Sequence, residues 1–156
     1  MKQEIERKFL VTGDGWRKGA GAGLACRQGY ITSGPESTTV RVRVLGGKGF
    51  LTIKGPTQGI SRPELEYEIP GADAEYMLQN LCGERRVEKK RYTLRIGQAV
   101  WEIDEFSGQN AGLILAEIEL QSENQPFEKP EWLGEEVSYD PRYANAALAR
   151  RPIARW

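Results

Sequence analysis

The sequence contains no histidine and only two cysteines among its 156 residues. The absence of histidine excludes histidine acid–base catalysis, a Ser-His-Asp triad and histidine-ligated zinc. Any metal ion must then be held mainly by oxygen ligands, which favours hard cations such as Mg²⁺ or Mn²⁺. Cys26 and Cys82 lie far apart and form no CxxC pair, so buried free thiols are the preferred interpretation, with a disulfide left open.

No apolar run approaches the length of a membrane span, and the chain opens with charged residues where a signal peptide would be apolar. We therefore expect a cytoplasmic protein without a membrane partner. The 22 Lys and Arg residues balance the 22 Asp and Glu residues, so net charge makes no case for binding nucleic acid. The length and the absence of a repeat or linker predict a single domain spanning residues 1–156.

Strand patterns dominate the chain. The connectors between them are short, as in GGKG at 46–49, and short connectors indicate mostly antiparallel neighbours. The eight predicted strands cover residues 2–11, 25–32, 37–46, 49–55, 61–69, 86–96, 99–107 and 113–121.

Two helices are predicted, over residues 72–82 and 141–151. Asp73 is a candidate cap for the first helix, and Asp140 is a candidate cap for the second. A short helical turn is also expected after Pro130, in the segment PEWLGEEV.

Charged and aliphatic residues alternate along seven of the predicted strand segments. In EIERKFLV, the side chains of Glu4, Glu6 and Lys8 lie on one side of the strand, and Ile5 and Phe9 lie on the other. The charged sides of the other six segments carry Arg41 and Arg43; Lys54; Glu64, Glu66 and Glu68; Lys89, Arg91 and Arg95; Glu102 and Asp104; and Glu117 and Glu119.

The ordinary interpretation of such a pattern is an antiparallel sheet with one solvated face. Here, however, most strands carry charge of a single sign. Like charges on one face of a strand lie roughly 7 Å apart and repel by about 2 kcal/mol at an effective dielectric constant near 20. Cross-strand ion pairs would offset part of this repulsion, whereas a bound polyanion together with cations would offset all of it.

The two signs together suit a metal–polyphosphate site. Phosphate oxygens are bound well by lysine and by the forked guanidinium of arginine. The carboxylates would repel phosphate unless a divalent metal ion lay between them. The pattern therefore predicts acidic and basic strands that face one lumen.

The segment EIERKFLV resembles the ExExK signature of the CYTH family, the triphosphate tunnel metalloenzymes. The likeness continues through VRVR, LTIK, ELEYEI, KKRY, WEIDEF, LILAEIEL and WLGEEVSYDPRYANAALA. The resemblance implies an α+β fold. Its core would be an eight-stranded antiparallel β-barrel, a tunnel with a polar lumen, with helices packed on the outside and the last helix closing one tunnel end. It also implies cleavage of triphosphate substrates with Mg²⁺ or Mn²⁺.

Matched residue by residue, the resemblance implies a role for each charged position. Lys8 would orient the attacking water or help to deprotonate it, with orientation preferred. The implied phosphate-binding residues are Arg41, Arg43, Lys54, Lys89 and Arg91; the implied metal ligands are Glu4, Glu6, Asp104, Glu117 and Glu119; the implied supporting carboxylates are Glu64, Glu66 and Glu102.

The leading hypothesis is metal-dependent hydrolysis of the terminal phosphoanhydride of a short polyphosphate, with inorganic tripolyphosphate as the small anionic substrate. The alternatives are a class IV adenylate cyclase, a thiamine or nucleoside triphosphatase, and a non-catalytic polyphosphate-binding module. The sequence does not choose between a monomer and a homodimer.

Overall fold

The computed structural model describes residues 2–33 and 38–156, and within them it contains nine strands, two α-helices and four short 3₁₀ helices. The strands are β1 Lys2–Val11, β2 Leu24–Thr32, β3 Thr39–Leu45, β4 Lys48–Lys54, β5 Ser61–Ile69, β6 Arg86–Ile96, β7 Ala99–Phe106, β8 Ile114–Glu119 and β9 Leu133–Glu136. The α-helices are α1 Gly71–Asn80 and α2 Asn145–Arg150. The predicted start of the third strand, at residue 37, lies outside the described residues.

Eight strands form a closed antiparallel barrel, in the order β5-β4-β3-β2-β6-β7-β8-β1 with β1 also paired to β5. The ninth strand lies outside this ring against β1. On the edge away from β8, β1 changes partner along its length: residues 2–5 pair with β5, whereas Phe9 and Val11 pair with β9. The predicted eight-stranded barrel is confirmed.

The strand registers bring the charged sides of the strands onto one face. Lys8 is opposite Glu117, and Glu117 is opposite Glu102 on the next strand. On the other side of the barrel, Arg41 is opposite Thr52, which in turn is opposite Glu66. Directly opposed residues share a face, and ring closure turns that face inward. An eight-stranded barrel has room there for side chains and a small ligand.

The aliphatic face is outside, and α1 covers part of it. Val42 of β3 is fully buried beneath α1, where it packs with Leu78 and Cys82. Cys82 and Cys26 are both free and buried, as the sequence predicted.

A second part of the outer face is covered by irregular segments. Trp101 of β7 is fully buried and packs edge-to-face against Phe9, Phe127 and Trp132. Trp16, on a 3₁₀ helix at Gly15–Lys18, is also fully buried in this cluster. Aromatic side chains from loops therefore replace a helix over this part of the barrel.

The second α-helix closes one end of the barrel, as the resemblance implied. At that end the inward face turns apolar, and Tyr30, Phe106 and Leu115 pack against Leu148 and Ala149 of α2. The helices therefore take two positions. One lies outside the barrel wall, and the other covers an end of the lumen.

The continuous helix predicted over 141–151 is wrong. A 3₁₀ helix at Pro141–Tyr143 and the α-helix at Asn145–Arg150 are separated by Ala144, whose backbone is extended (φ −64°, ψ 138°). Asp140 does cap the 3₁₀ helix, because its side chain accepts a hydrogen bond from the backbone N–H of Arg142 at 3.1 Å. In the first helix the cap position is Pro70 and not Asp73, which lies in the first turn.

The helical turn predicted after Pro130 consists of one hydrogen bond, from the backbone N–H of Leu133 to the Pro130 carbonyl (3.1 Å). The chain then extends into β9. The reason is tertiary, because β5 leaves β1 after Ile5 and the free edge of β1 offers unpaired backbone groups. Within the described residues, no helix is both long and apolar enough to span a membrane.

An ion pair between Arg7 and Glu136 ties β9 to the barrel. Two charge-assisted hydrogen bonds join the guanidinium to the carboxylate, at 2.8 and 2.6 Å. Both side chains are about three-quarters buried. The hydrogen bonds that Glu136 accepts from Arg7 and from Ser138 lower the pKa of its carboxyl.

We expect Glu136→Gln to lower the free energy of unfolding at pH 7 by about 1 kcal/mol, because the charge-assisted pair is lost. A lowered pKa in the folded state means that the Glu136 carboxylate stabilises the fold above the unfolded-state pKa of about 4.3, and that this contribution is lost as the pH falls through the folded-state pKa. Urea unfolding of both proteins from pH 7 down to pH 3 measures this. A difference that stays constant across this range would contradict the assignment.

Candidate active site

Three charged side chains of β1 open into a cavity of about 820 Å³ at the barrel end near α2. Glu4, Glu6 and Lys8 line it together with Arg41 of β3 and Lys54 of β4. These five residues are far apart in sequence, and closure of the barrel brings them together. The cavity therefore presents carboxylates and cations to one enclosed space.

Lys54 bridges two acidic strands. Its ammonium lies 2.9 Å from a Glu4 carboxylate oxygen and 3.5 Å from a Glu64 oxygen. Burial opposes ionisation of Glu4, but the nearby Lys54 outweighs it and lowers the pKa of Glu4 to about 2. Glu4 is therefore an anion throughout the neutral range.

Asp104 is the most completely paired carboxylate of the lumen. It is buried between the ammonium of Lys89, at 2.7 Å, and the guanidinium of Arg91, at 2.8 and 2.9 Å. These two cations hold the pKa of Asp104 well below its usual range despite burial. Arg91 also contacts Glu102 at 3.1 Å. Asp104 thus positions two cations that the sequence assigned to phosphate.

Arg41 is held by Glu66 and by Thr52. Its Nη2 donates to the Glu66 carboxylate at 3.2 Å and to the Thr52 hydroxyl at 3.1 Å. The Nε atom of Arg41 is buried and has no hydrogen-bond partner within residues 2–33 and 38–156. A buried donor without a partner is costly, and an anion in the lumen would satisfy it.

Glu6 and Arg43 form no ion pair with any of the described residues. Arg43 is buried and donates only to the amide oxygen of Gln28, at 3.1 Å. Burial and the nearby Arg41 lower the pKa of Arg43, whereas burial beside Glu117 raises the pKa of Glu6 to about 8. Both shifts disfavour the charged form, so each side of the lumen lacks a counter-charge.

Lys8 lies among acids and is held by the C-terminal segment. Its Nζ lies 3.6 Å from a Glu117 oxygen and donates to the backbone carbonyl of Tyr143 at 3.1 Å. Burial opposes its charge, but Glu117 and Glu6 outweigh burial and raise the pKa of Lys8 above its ordinary value. Lys8 is therefore an ammonium at neutral pH, suited to orienting water and not to removing a proton.

The remaining predicted carboxylates differ in burial. Glu117 is buried within the lumen, whereas the side chain of Glu119 is 53% exposed at the rim and pairs with Lys2 at 3.4 Å. Glu66 and Glu102 are also partly exposed, at 39% and 43%. The structure therefore brings eleven of the fourteen predicted charges to the lumen wall and places Glu66, Glu102 and Glu119 toward its edge.

Several polar residues of the lumen are uncharged. The alternation of charged residues therefore did not identify them as part of the site. Gln28 is fully buried on β2, where its amide joins Arg43 to the hydroxyl of Tyr30 (2.8 Å). Asn145 of α2 accepts a hydrogen bond from Nζ of Lys89 at 2.9 Å. The sequence did contain a signal for Gln28 and Tyr30, because alternation along β2 places both of them on the same strand face as Cys26.

The donor set suits a hard divalent cation. Within residues 2–33 and 38–156, no three acidic side chains form a preassembled metal cluster. Nevertheless, burial and the charges of Glu117 and Glu4 raise the pKa of Glu6, and in the part of the chain that the structure describes no ammonium or guanidinium pairs with its carboxyl. Carboxylate oxygens gathered in this way are the ligands that Mg²⁺ and Mn²⁺ prefer. Glu4, Glu6 and Glu117 therefore fit the role of metal ligands.

A closed eight-stranded barrel with an ionic lumen, flanked by one outer helix and closed by a second, defines a class of proteins. The chain belongs to the CYTH domain family, whose family model matches residues 2–151.

Two curated relatives are similar along nearly their whole length. An inorganic triphosphatase of Acetivibrio thermocellus is 49% identical over 152 residues, covering 97% of this chain and 96% of that protein. An inorganic triphosphatase of Nitrosomonas europaea is 43% identical over 150 residues, covering 94% and 96% respectively. The crystal structure of the inorganic triphosphatase NE1496 matches with a TM-score of 0.66 at 40% identity, covering 93% of this chain and 96% of that one.

We expect Mg²⁺ or Mn²⁺ to raise the midpoint of thermal unfolding of the metal-free protein, because an ion that binds only the folded state stabilises it. Without metal at pH 7, Glu6→Gln should unfold at a higher temperature than wild type, since folding no longer has to protonate a carboxyl whose pKa is raised, and it should gain less from added metal. Differential scanning calorimetry with and without each ion measures both effects.

The exposed residue Glu131 offers a matched control outside the lumen. Glu131→Gln removes the same charge and should respond to metal as wild type does. An equal metal-induced rise in Glu6→Gln and wild type would remove Glu6 from the ligand set.

Proposed function

We propose that this protein is a divalent-metal-dependent inorganic triphosphatase that hydrolyses the terminal phosphoanhydride bond of tripolyphosphate. The proposal is based on two side chains of the lumen that have no oppositely charged partner. Arg43 and Glu6 lie in the lumen of the same barrel, and neither has an ion-pair partner among the described residues. A phosphate chain supplies the missing anion and a divalent cation supplies the missing positive charge. The likeness to two inorganic triphosphatases supports the same substrate.

The basic side of the lumen would bind the phosphate chain. Arg41 and Arg43 are two residues apart on one face of β3. The Nε–H of Arg41, unpaired among the described residues, would donate a hydrogen bond to a phosphate oxygen. Lys89 and Arg91 are already oriented by Asp104, so little conformational entropy is lost when they bind oxygen. Lys54, which is neutralised by Glu4, would contribute mainly position.

The acidic side would hold Mg²⁺ or Mn²⁺ through Glu4, Glu6 and Glu117. When bound, such an ion polarises phosphoryl oxygens and lowers the pKa of a bound water. The chain's own contribution is positioning and charge neutralisation, which is most of what phosphoryl transfer requires. Lys8, an ammonium beside Glu117, would donate a hydrogen bond to the attacking water or to a phosphate oxygen and hold it in line.

We also propose that residues 1–156 act as one domain, since the C-terminal segment completes the lumen formed by the strands. The two free, buried cysteines support a reducing compartment such as the cytoplasm. Independence from nucleic acid and membranes stays a prediction, and so does the choice between monomer and homodimer.

The proposal predicts release of inorganic phosphate from tripolyphosphate that requires Mg²⁺ or Mn²⁺. Lys8→Ala and Glu117→Ala should each reduce kcat/KM by on the order of a hundredfold or more, because the first removes the cation that would orient the attacking water and the second removes a proposed metal ligand. Tripolyphosphate, thiamine triphosphate and ATP are compared as substrates, and cyclic AMP is assayed in the ATP reaction.

Lys90 provides the matched control, since it precedes Arg91 on β6 but is exposed outside the barrel. Lys90→Ala should keep wild-type turnover, and circular dichroism should show the same fold in all variants. Equal turnover in Lys8→Ala and wild type, preferred turnover of another triphosphate, or tight binding without turnover would each contradict the proposal.

A further inference from the structure

The cavity opens where β1 changes partner. Strand β5 pairs with β1 only as far as Ile5, and from Phe9 onward the edge of β1 is taken by β9. The residues on the two sides of this gap line the cavity, Ile60 and Arg62 at the start of β5 and Tyr139 after β9. The mouth therefore follows from the strand pairing and lies at the barrel end that α2 covers.

Three arginines line this mouth, and among the described residues none of them forms an ion pair. They are Arg62, Arg150 at the end of α2, and Arg151 directly after it. Arg62 is held in place by two hydrogen bonds to the Gly55 carbonyl, at 3.0 and 2.8 Å. Of the neighbouring charged groups, Arg142 pairs with Asp140 at 2.8 Å, whereas the carboxylate of Glu123, which accepts a hydrogen bond from the backbone N–H of Ile60, is a single negative charge beside the mouth.

The opposite end of the barrel has a different charge. Antiparallel pairing brings the end of β5 and the end of β8 to that side, with partly or fully exposed carboxylates. The carboxylates there are those of Glu66, Glu68, Glu102 and Glu119, and the cations are Lys2, Lys48 and Arg95. The barrel therefore has a basic mouth at one end and a mixed, slightly acidic rim at the other.

We infer that Arg62, Arg150 and Arg151 form an electrostatic funnel through which a small polyanion reaches the lumen from the α2 end. Arg62 shares the face of β5 that carries Glu64, but none of the three arginines is among the predicted phosphate-binding residues. Like charges around a narrow, low-dielectric opening focus their field and raise the association rate of an oppositely charged ligand. The inference rests on the proposed function for the identity of the polyanion, inorganic tripolyphosphate.

The test compares two double variants that change net charge equally. Arg150→Gln with Arg151→Gln removes two mouth charges and leaves Arg62 and its loop contact intact. Arg95→Gln with Arg155→Gln removes one charge at the far end and one from the same C-terminal segment, where Arg155 does not line the cavity. Association of tripolyphosphate with the metal-free full chain is followed by stopped-flow tryptophan fluorescence, for which Trp156 in the cavity wall is a reporter. Steady-state kcat/KM with Mg²⁺ is measured in parallel.

We expect the mouth variant to lose on the order of three- to tenfold in association rate and in kcat/KM at low ionic strength, with the loss appearing in kcat/KM and not in kcat. The difference should close near 0.5 M salt, because screening then acts over a few ångströms. The control variant should stay within twofold of wild type. Calorimetry verifies that both variants unfold near the wild-type temperature.

Equal losses in the two double variants, or a loss that persists at high salt, would overturn the funnel. A wild-type protein that binds tripolyphosphate with a salt-dependent rate but releases no phosphate would contradict the proposed function alone, and the comparison of association rates would still decide the funnel. Absence of any tripolyphosphate binding by wild type would overturn both.

Discussion

The structure depends on the burial of like charges inside a closed sheet. Closure pairs each barrel strand with two neighbours, although β9 completes the edge of β1, and because side chains alternate closure also turns one face of each strand inward. Here the inward faces are ionic, so the fold carries an electrostatic cost that an aliphatic lumen would avoid. Cross-strand pairs such as Lys54 with Glu4 and Asp104 with Lys89 offset much of this cost. These pairs do not include Arg43 and Glu6, and the two side chains without an ion-pair partner among the described residues lie at the proposed site.

The same pairs also organise the site in advance. Asp104 fixes Lys89 and Arg91, Glu66 and Thr52 fix Arg41, and Gln28 fixes Arg43. A ligand that meets charged groups already held in place loses less entropy on binding. Some carboxylates of the lumen thus also hold cations in place, and Asp104 is the clearest case. Stability of the outer shell comes instead from aromatic packing around Trp101 and from α1 over Val42.

The C-terminal segment also contributes to the lumen. It pairs with β1 as β9, crosses the barrel end, and places the Tyr143 carbonyl on Lys8 and the Asn145 amide on Lys89. Its apolar residues pack on the inward-facing Tyr30, Phe106 and Leu115, so α2 covers that end of the lumen, and the cavity opens beside α2 at the gap between β5 and β9. The arginines of the mouth therefore lie at the α2 end of the barrel, and the rim of carboxylates lies at the other end.

The sequence by itself determined the strands, the sign of charge on each inward face and the resemblance to the CYTH family, because period-two alternation and ExExK-type spacing are local properties of the chain. Glu6, Lys8 and Arg43 could be assigned to one lumen on that basis. The extension of β9, the break in the last helix at Ala144 and the pairing of Asp104 with two cations were decided only by tertiary structure. Each of these depends on which chain segment closes the barrel edge or end, and no local pattern specifies that neighbour.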